Sequence, residues 1–183
     1  MKKAHVCFGR FQPPHIGHAR LFLQMTVDGK ADCLIYPSHS YGGAKNPLTY
    51  SERVKLLREV AKKCTSQPNH LSVVESDAKD ILGVLKDVEA KGYTDVVWYS
   101  GSDRAADVKR ILGYNGTEFN FESISCKSLV RYTGTKYEST EYGMSGSTVR
   151  NYIREGATHD AFLATPPGVS QKTLQNLVNA LKK

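Results

Sequence analysis

No stretch of this 183-residue chain stays apolar for the roughly 18–20 residues that a membrane-spanning helix requires. Lys2 and Lys3 precede only a short apolar run ending in Gly9, which reads as a first strand and not as a signal peptide. The four cysteines, Cys7, Cys33, Cys64 and Cys126, are widely spaced and form no CxxC pair. That argues against a zinc ribbon or a dithiol redox centre and for reduced thiols in a cytoplasmic protein, with Cys7 and Cys33 in the core. Lys/Arg-rich runs with interleaved aromatics are absent. The net charge of +7, from 25 basic and 18 acidic residues, therefore favours anionic partners without singling out nucleic acid, which is disfavoured as a partner. There is no internal repeat and no low-complexity segment.

What the chain does have is an alternation of short apolar runs and helical patterns. Ala4–Gly9, Ala31–Tyr36, Leu71–Val74, Asp95–Ser100 and Phe119–Cys126 read as strands. Helical spacing is predicted over Ile16–Val27, Thr49–Lys63, Asp77–Ala90, Ser102–Leu112, Gly146–Glu155 and Ser170–Lys182. Thr49 and Glu52 stand at capping-box spacing. Trp98 and Tyr99 are expected in the core. A less regular stretch runs to Gly143, and Ala164–Gly168 reads as a linker. The order implies an α/β fold, a Rossmann-like open parallel sheet of about five strands with helices on both faces. One domain is expected over residues 1–183, with a core of about 4–155 and a helical tail over 156–183. In such sheets ligands bind beyond the carboxyl ends of the strands where the strand order reverses. The loops after strands one, two and four should therefore converge.

The loop after the first strand reads Gly9-Arg10-Phe11-Gln12-Pro13-Pro14-His15-Ile16-Gly17-His18. Gly9 and Gly17 permit tight turns and close backbone approach to a ligand. His15 and His18 are three apart, so at a helix start they share a face beside N–H groups that attract anions. Taken alone, the pair is equally a zinc half-site lacking further ligands, or one surface and one buried histidine. A second cluster, Met144-Ser145-Gly146-Ser147-Thr148-Val149-Arg150, opens a late helix. Its hydroxyls suit an N-cap and Arg150 suits a phosphate, though as a segment it is also an ordinary helix cap. Lys45-Asn46-Pro47-Leu48-Thr49-Tyr50-Ser51-Glu52-Arg53 places two more cations after the second strand, with Arg53 alternatively a surface partner of Glu52. Gly101-Ser102-Asp103 closes the fourth strand, and Asp103 is either a nucleotide ligand or the cap of the next helix.

The string Gly9 to His18 resembles the His-x-Gly-His signature of the nucleotidyltransferase α/β-phosphodiesterase superfamily. Its Gly-Arg-Phe-Gln-Pro opening looks like the nicotinamide mononucleotide (NMN) adenylyltransferase branch, and Pro14 departs from the aromatic usual there. Ser145 to Arg150 resembles the superfamily's Ser/Thr-rich second mark, and Lys45 to Arg53 its Lys-Asn-Pro…Glu-Arg segment. The resemblance covers about residues 4–155. Phage-encoded cytidylyltransferase-like proteins are also similar, which would imply a host cytoplasm.

What the resemblance implies is transfer of a nucleotide's α-phosphate to a phosphomonoester with release of pyrophosphate, NMN and ATP foremost. A phage-type cytidylyltransferase-like enzyme with another acceptor, or an inactive nucleotide-binding module, are the alternatives. His15, His18, Lys45 and Arg150 are the expected catalytic residues. Gly9, Arg10, Phe11, Gly17, Arg53, Gly101, Asp103, Ser145, Ser147 and Thr148 are the expected binding residues. Mg²⁺ is expected to ride on the nucleotide phosphates without a protein metal cage. The partners are ATP or another nucleoside triphosphate and a small phosphorylated acceptor. No membrane partner is expected, and a homo-oligomer stays open.

Overall fold

A computed structural model describes residues 1–27, 29–65, 67, 70–129, 145–156, 166 and 169–181. Of the irregular stretch expected after Cys126, residues 127–129 belong instead to a strand, while 130–143, the motif residue Met144 and most of the 164–168 linker lie outside the described residues. The strands are β1 (Lys3–Gly9), β2 (Asp32–Pro37), β3 (Leu71–Val73), β4 (Asp95–Gly101) and β5 (Ser123–Leu129). The helices are α1 (Ile16–Thr26), α2 (Tyr50–Lys63), α3 (Ile81–Ala90), α4 (Ala105–Leu112), α5 (Gly146–Arg154) and α6 (Gln171–Leu181).

The sheet order is β3-β2-β1-β4-β5, and every pairing is parallel. The expected Rossmann-like α/β architecture is the one observed. Alternation along the strands sorts side chains to two faces. Ala4, Val6, Leu34, Tyr36, Val96 and Trp98 meet Val84, Leu85 and Val88 of α3 and Val108 and Leu112 of α4. Their neighbours Cys7, Cys33, Ile35, Val97 and Tyr99 meet Phe22 and Met25 of α1 and Leu57 and Val60 of α2. The chain thus winds outward from β1 on one face, then crosses to β4 and covers the other. β1 and β4 are neighbours, and their carboxyl ends form the switch point.

Local signals set most boundaries. Thr49 caps α2: its hydroxyl accepts from Glu52 N–H at 3.2 Å, and the Glu52 carboxylate accepts from Thr49 N–H at 2.8 Å. α3 starts four residues later than the pattern suggested. Asp80 is the residue whose carboxylate accepts the Gly83 N–H, at 2.8 Å, and this fixes the first turn there. β5 also starts later, at Ser123. Phe119 and Phe121 are buried as core side chains ahead of it, and the Asn115 amide bonds both N–H and C=O of Phe121. α6 packs Leu177 and Leu181 against Leu48, Leu56, Val149 and Ile153, so the tail helix rests on α2 and α5. Among the described residues no helix is long and apolar enough to cross a membrane.

Candidate active site

A cavity of about 260 Å³ opens at the switch point. β1 and the loop behind it contribute Gly9, Arg10, Phe11, Gln12 and His15, and α1 contributes Gly17, His18 and Arg20. From β4 and the turn after it come Trp98, Ser100, Gly101, Asp103 and Arg104, while Ser145, Gly146, Ser147 and Arg150 close the far side. Among the described residues the wall is cationic, with four arginines and two histidines against one carboxylate.

His15 occupies the N-cap position of α1 and is 3% exposed. Its backbone N–H donates to His18 Nδ1 at 3.1 Å. In the neutral ring the His18 proton then sits on Nε2, which makes that nitrogen a donor. The two imidazoles lie 3.7 Å apart between centroids. Phe11 packs edge-on to His18 at 4.8 Å and near Phe22 at 6.0 Å, holding the pair from behind. Phe11 itself has φ 49°, left-handed for a residue with a Cβ. Gly9 lies under its ring, where a Cβ would come to 3.1 Å from it.

The start of α5 faces this loop. Ser145 is the N-cap, its hydroxyl accepting from Thr148 N–H at 3.1 Å. The cap is therefore Ser145, two and three residues before Ser147 and Thr148. Arg150 Nη1 donates to the Gln12 carbonyl at 2.5 Å and Nη2 to Ser147 Oγ at 3.0 Å. Its Nε is buried with no hydrogen-bond partner among the described residues. Burial lowers the Arg150 pKa, and the charges of Arg154 and Arg10 lower it further. A guanidinium so placed gains from a nearby anion. Gly146 is needed because a Cβ there would stand 2.8 Å from the Gln12 carbonyl oxygen.

Of the residues expected from sequence, His15, His18, Arg150, Gly9, Arg10, Phe11, Gly17, Gly101, Asp103, Ser145 and Ser147 line one cavity. Asp103 lies within a 3-10 turn, Ser102–Arg104; the cap position of α4 is Arg104. Lys45, Thr148 and Arg53 do not line the cavity. Lys45 is exposed on the small hairpin bridged by Gly42 and Asn46, which Arg154 ties down through the Ala44 carbonyl at 2.9 Å. Arg53 is the largest departure. It is completely buried, and its guanidinium donates to the carbonyls of Thr49, Arg10, Ser38 and Ser40 at 2.6–3.3 Å. Desolvation lowers its pKa. Its hydrogen bonds commit four of its five N–H donors to binding two loops together, away from the cavity wall.

Gln12, Arg20 and Arg104 line the cavity and were not among the expected site residues. Arg20 was legible: it stands three residues from Gly17 on the same helix face. Gln12 and Arg104 carried no spacing signal of their own. Trp98, expected only in the core, is 1% exposed and also forms part of the cavity wall.

Comparison with known proteins agrees with this geometry. The family model described as Cytidylyltransferase-like matches residues 6–152. A search of curated proteins finds no match. Among solved structures, a provisionally named nicotinate-nucleotide adenylyltransferase from Vibrio parahaemolyticus is similar, with TM-score 0.63 and 18% identity over 98% of this chain and 100% of that one. The nicotinic acid mononucleotide adenylyltransferase of Plasmodium falciparum complexed with APC gives TM-score 0.67 at 11% identity, covering 98% and 96%. A bifunctional NMN adenylyltransferase/ADP ribose pyrophosphatase from Francisella tularensis complexed with AMP and a manganese ion gives 0.52 at 14%, covering 98% and 52%. With four-fifths of its length matched and the doubly wound sheet in place, the chain belongs to the cytidylyltransferase-like family and is a nucleotidyltransferase.

Proposed function

We propose that the chain joins the α-phosphate of ATP to a small phosphomonoester, NMN foremost, and releases pyrophosphate. The observation that carries this reading is the meeting of His15 and His18 with Arg150 around one cavity, bridged by the Arg150–Gln12 hydrogen bond. A phosphomonoester has its second pKa near about 6, so at neutral pH the acceptor is already a dianion. No general base is required, and the chemistry reduces to holding two anions in line and neutralising charge.

His18 supplies an N–H donor and the start of α1 supplies backbone donors, suited to the α-phosphate as charge moves onto the bridging oxygen. Arg150, Arg10 and the hydroxyls of Ser145 and Ser147 suit the departing pyrophosphate. Lys45 would have to reach in from its hairpin, and Arg53 acts by framing the loops. Localisation in the cytoplasm and the tail helix as part of one domain belong to the same reading.

The donor set fits a divalent ion carried by phosphate. Among the described residues no three His, Cys, Asp or Glu side chains form a metal cage, and Asp103 is the one carboxylate on the cavity wall. A hydrated Mg²⁺ needs little more than phosphate oxygens and such a carboxylate. When bound it would neutralise triphosphate charge. The Francisella neighbour's complex with AMP and manganese supports this.

CTP is the second reading, favoured by the family's own description. Pyrophosphate release should be measured with Mg²⁺ and ATP or CTP against NMN, nicotinic acid mononucleotide, phosphopantetheine and sugar phosphates. Turnover with ATP and NMN is expected. Turnover confined to another acceptor, or to CTP, overturns the specific reading.

A further inference from the structure

We propose that Gln12 is a positioning residue, fixing the cavity-facing guanidinium of Arg150 by bracing the carbonyl that Arg150 grips; this rests on the nucleotide reading of the cavity. Gln12 is 4% exposed. Its side-chain Nε2 donates to the Leu48 carbonyl at 2.8 Å and to the Ser40 carbonyl at 3.1 Å, while Oε1 accepts from Leu48 N–H at 2.9 Å. Two acceptors on one side and a donor on the other admit a single amide orientation. The side chain therefore pins residue 12 to the segment entering α2.

The backbone of the same residue faces α5. Arg150 Nη1 bonds the Gln12 carbonyl, and the missing Cβ of Gly146 is what lets α5 approach it. Two residues earlier, the Arg10 carbonyl is held by Arg53 at 2.9 Å. Left-handed Phe11 stands between these two anchored carbonyls. Among the described residues Arg150 has one other hydrogen-bond partner, Ser147 on its own helix, so the Gln12 carbonyl is its described link to the opposite wall. If that carbonyl drifts, the guanidinium loses its fixed direction and its buried Nε loses its aim. Preorganised donors lose much of their worth when they must reorganise around an anion.

The distinguishing measurement is a double-mutant cycle on binding of ATP and of inorganic tripolyphosphate by calorimetry, which needs no acceptor. Gln12→Met keeps the volume and removes all three side-chain hydrogen bonds. It is expected to weaken both ligands about tenfold in the native background and less than about twofold in an Arg150→Ala background. Equal losses in both backgrounds, or no loss in either, overturn the proposal. Should Gln12→Met fail to fold, the uncharged Gln12→Leu also removes all three side-chain hydrogen bonds and runs the same cycle with the same criteria. If the native protein binds neither ligand, the nucleotide reading fails and takes this role with it. Binding with an additive cycle leaves that reading standing and removes only the role of Gln12.

Discussion

Arg53 and His18 show how different two polar side chains from expected site segments can be once their partners are known. All four acceptors of Arg53 are uncharged backbone carbonyls, shared between the loops after β1 and β2. Removing the guanidinium leaves buried acceptors unsatisfied, so Arg53→Met should cost about 2 kcal/mol and roughly 4–8 °C of melting temperature. A phosphate ligand would behave otherwise, raising KM for ATP with the melting temperature unchanged. His18→Ala belongs to the opposite class: a fall of about 10²–10³ in kcat with little change in melting temperature, read from pyrophosphate release. Survival of near-native turnover would remove His18 from the chemistry. The sequence could propose both residues as anion ligands, because an arginine in a polar segment looks the same whether it faces phosphate or carbonyl oxygens. The difference is tertiary, and Gln12 was hidden for the same reason.

At the scale of the element, capping chemistry decides where helices begin. Thr49 and Glu52 bond reciprocally, as their spacing indicated, and Thr49→Ala should cost about 1 kcal/mol in chemical denaturation. The effect has a local cost as well, because Leu48 and Thr49 carry acceptors for Gln12 and Arg53. Binding of ATP should weaken along with stability; an unchanged affinity would show that the loop holds its shape without the cap. Elements were legible where the apolar period was unbroken, as in β1, α1, β2 and α2. The pattern misplaced β5 because Phe119 and Phe121 are as apolar as strand residues while serving as core plugs before the strand. It misplaced the start of α3 because Asp77 and Asp80 both offer a plausible cap, and only Asp80 is bonded.

At the scale of the whole molecule, the parallel sheet followed from alternating strands and helices, and the loops after β1 and β4 meet at the cavity as that topology implied, whereas the loop after β2 does not line it. What topology could not give was how the loops lock together, since those bonds join residues distant in sequence. Buried phenols fasten the interior strand β2 to its surroundings: Tyr36 Oη donates to Asp87 of α3 at 2.7 Å, and Tyr93 Oη, just before β4, donates to Asp32 at 2.9 Å. Burial, then the Asp32 hydrogen bond and charge, push the Tyr93 pKa from 10.0 up to about 12. The folded state therefore holds this proton after the unfolded chain has lost it. Its contribution is complete below pH 10 and declines as pH rises toward 12. Melting temperature should fall across that window, and the fall should be shallower in Tyr93→Phe; identical slopes would exclude the phenol as a source. The Arg150–Gln12 bond spans 138 residues of chain. Every described strand is complete by Leu129, whereas α5 begins at Gly146. Vectorial synthesis thus delivers the described sheet before the wall that grips its first loop, and the anion site closes only once α5 has followed all five of those strands, with α6 still to come.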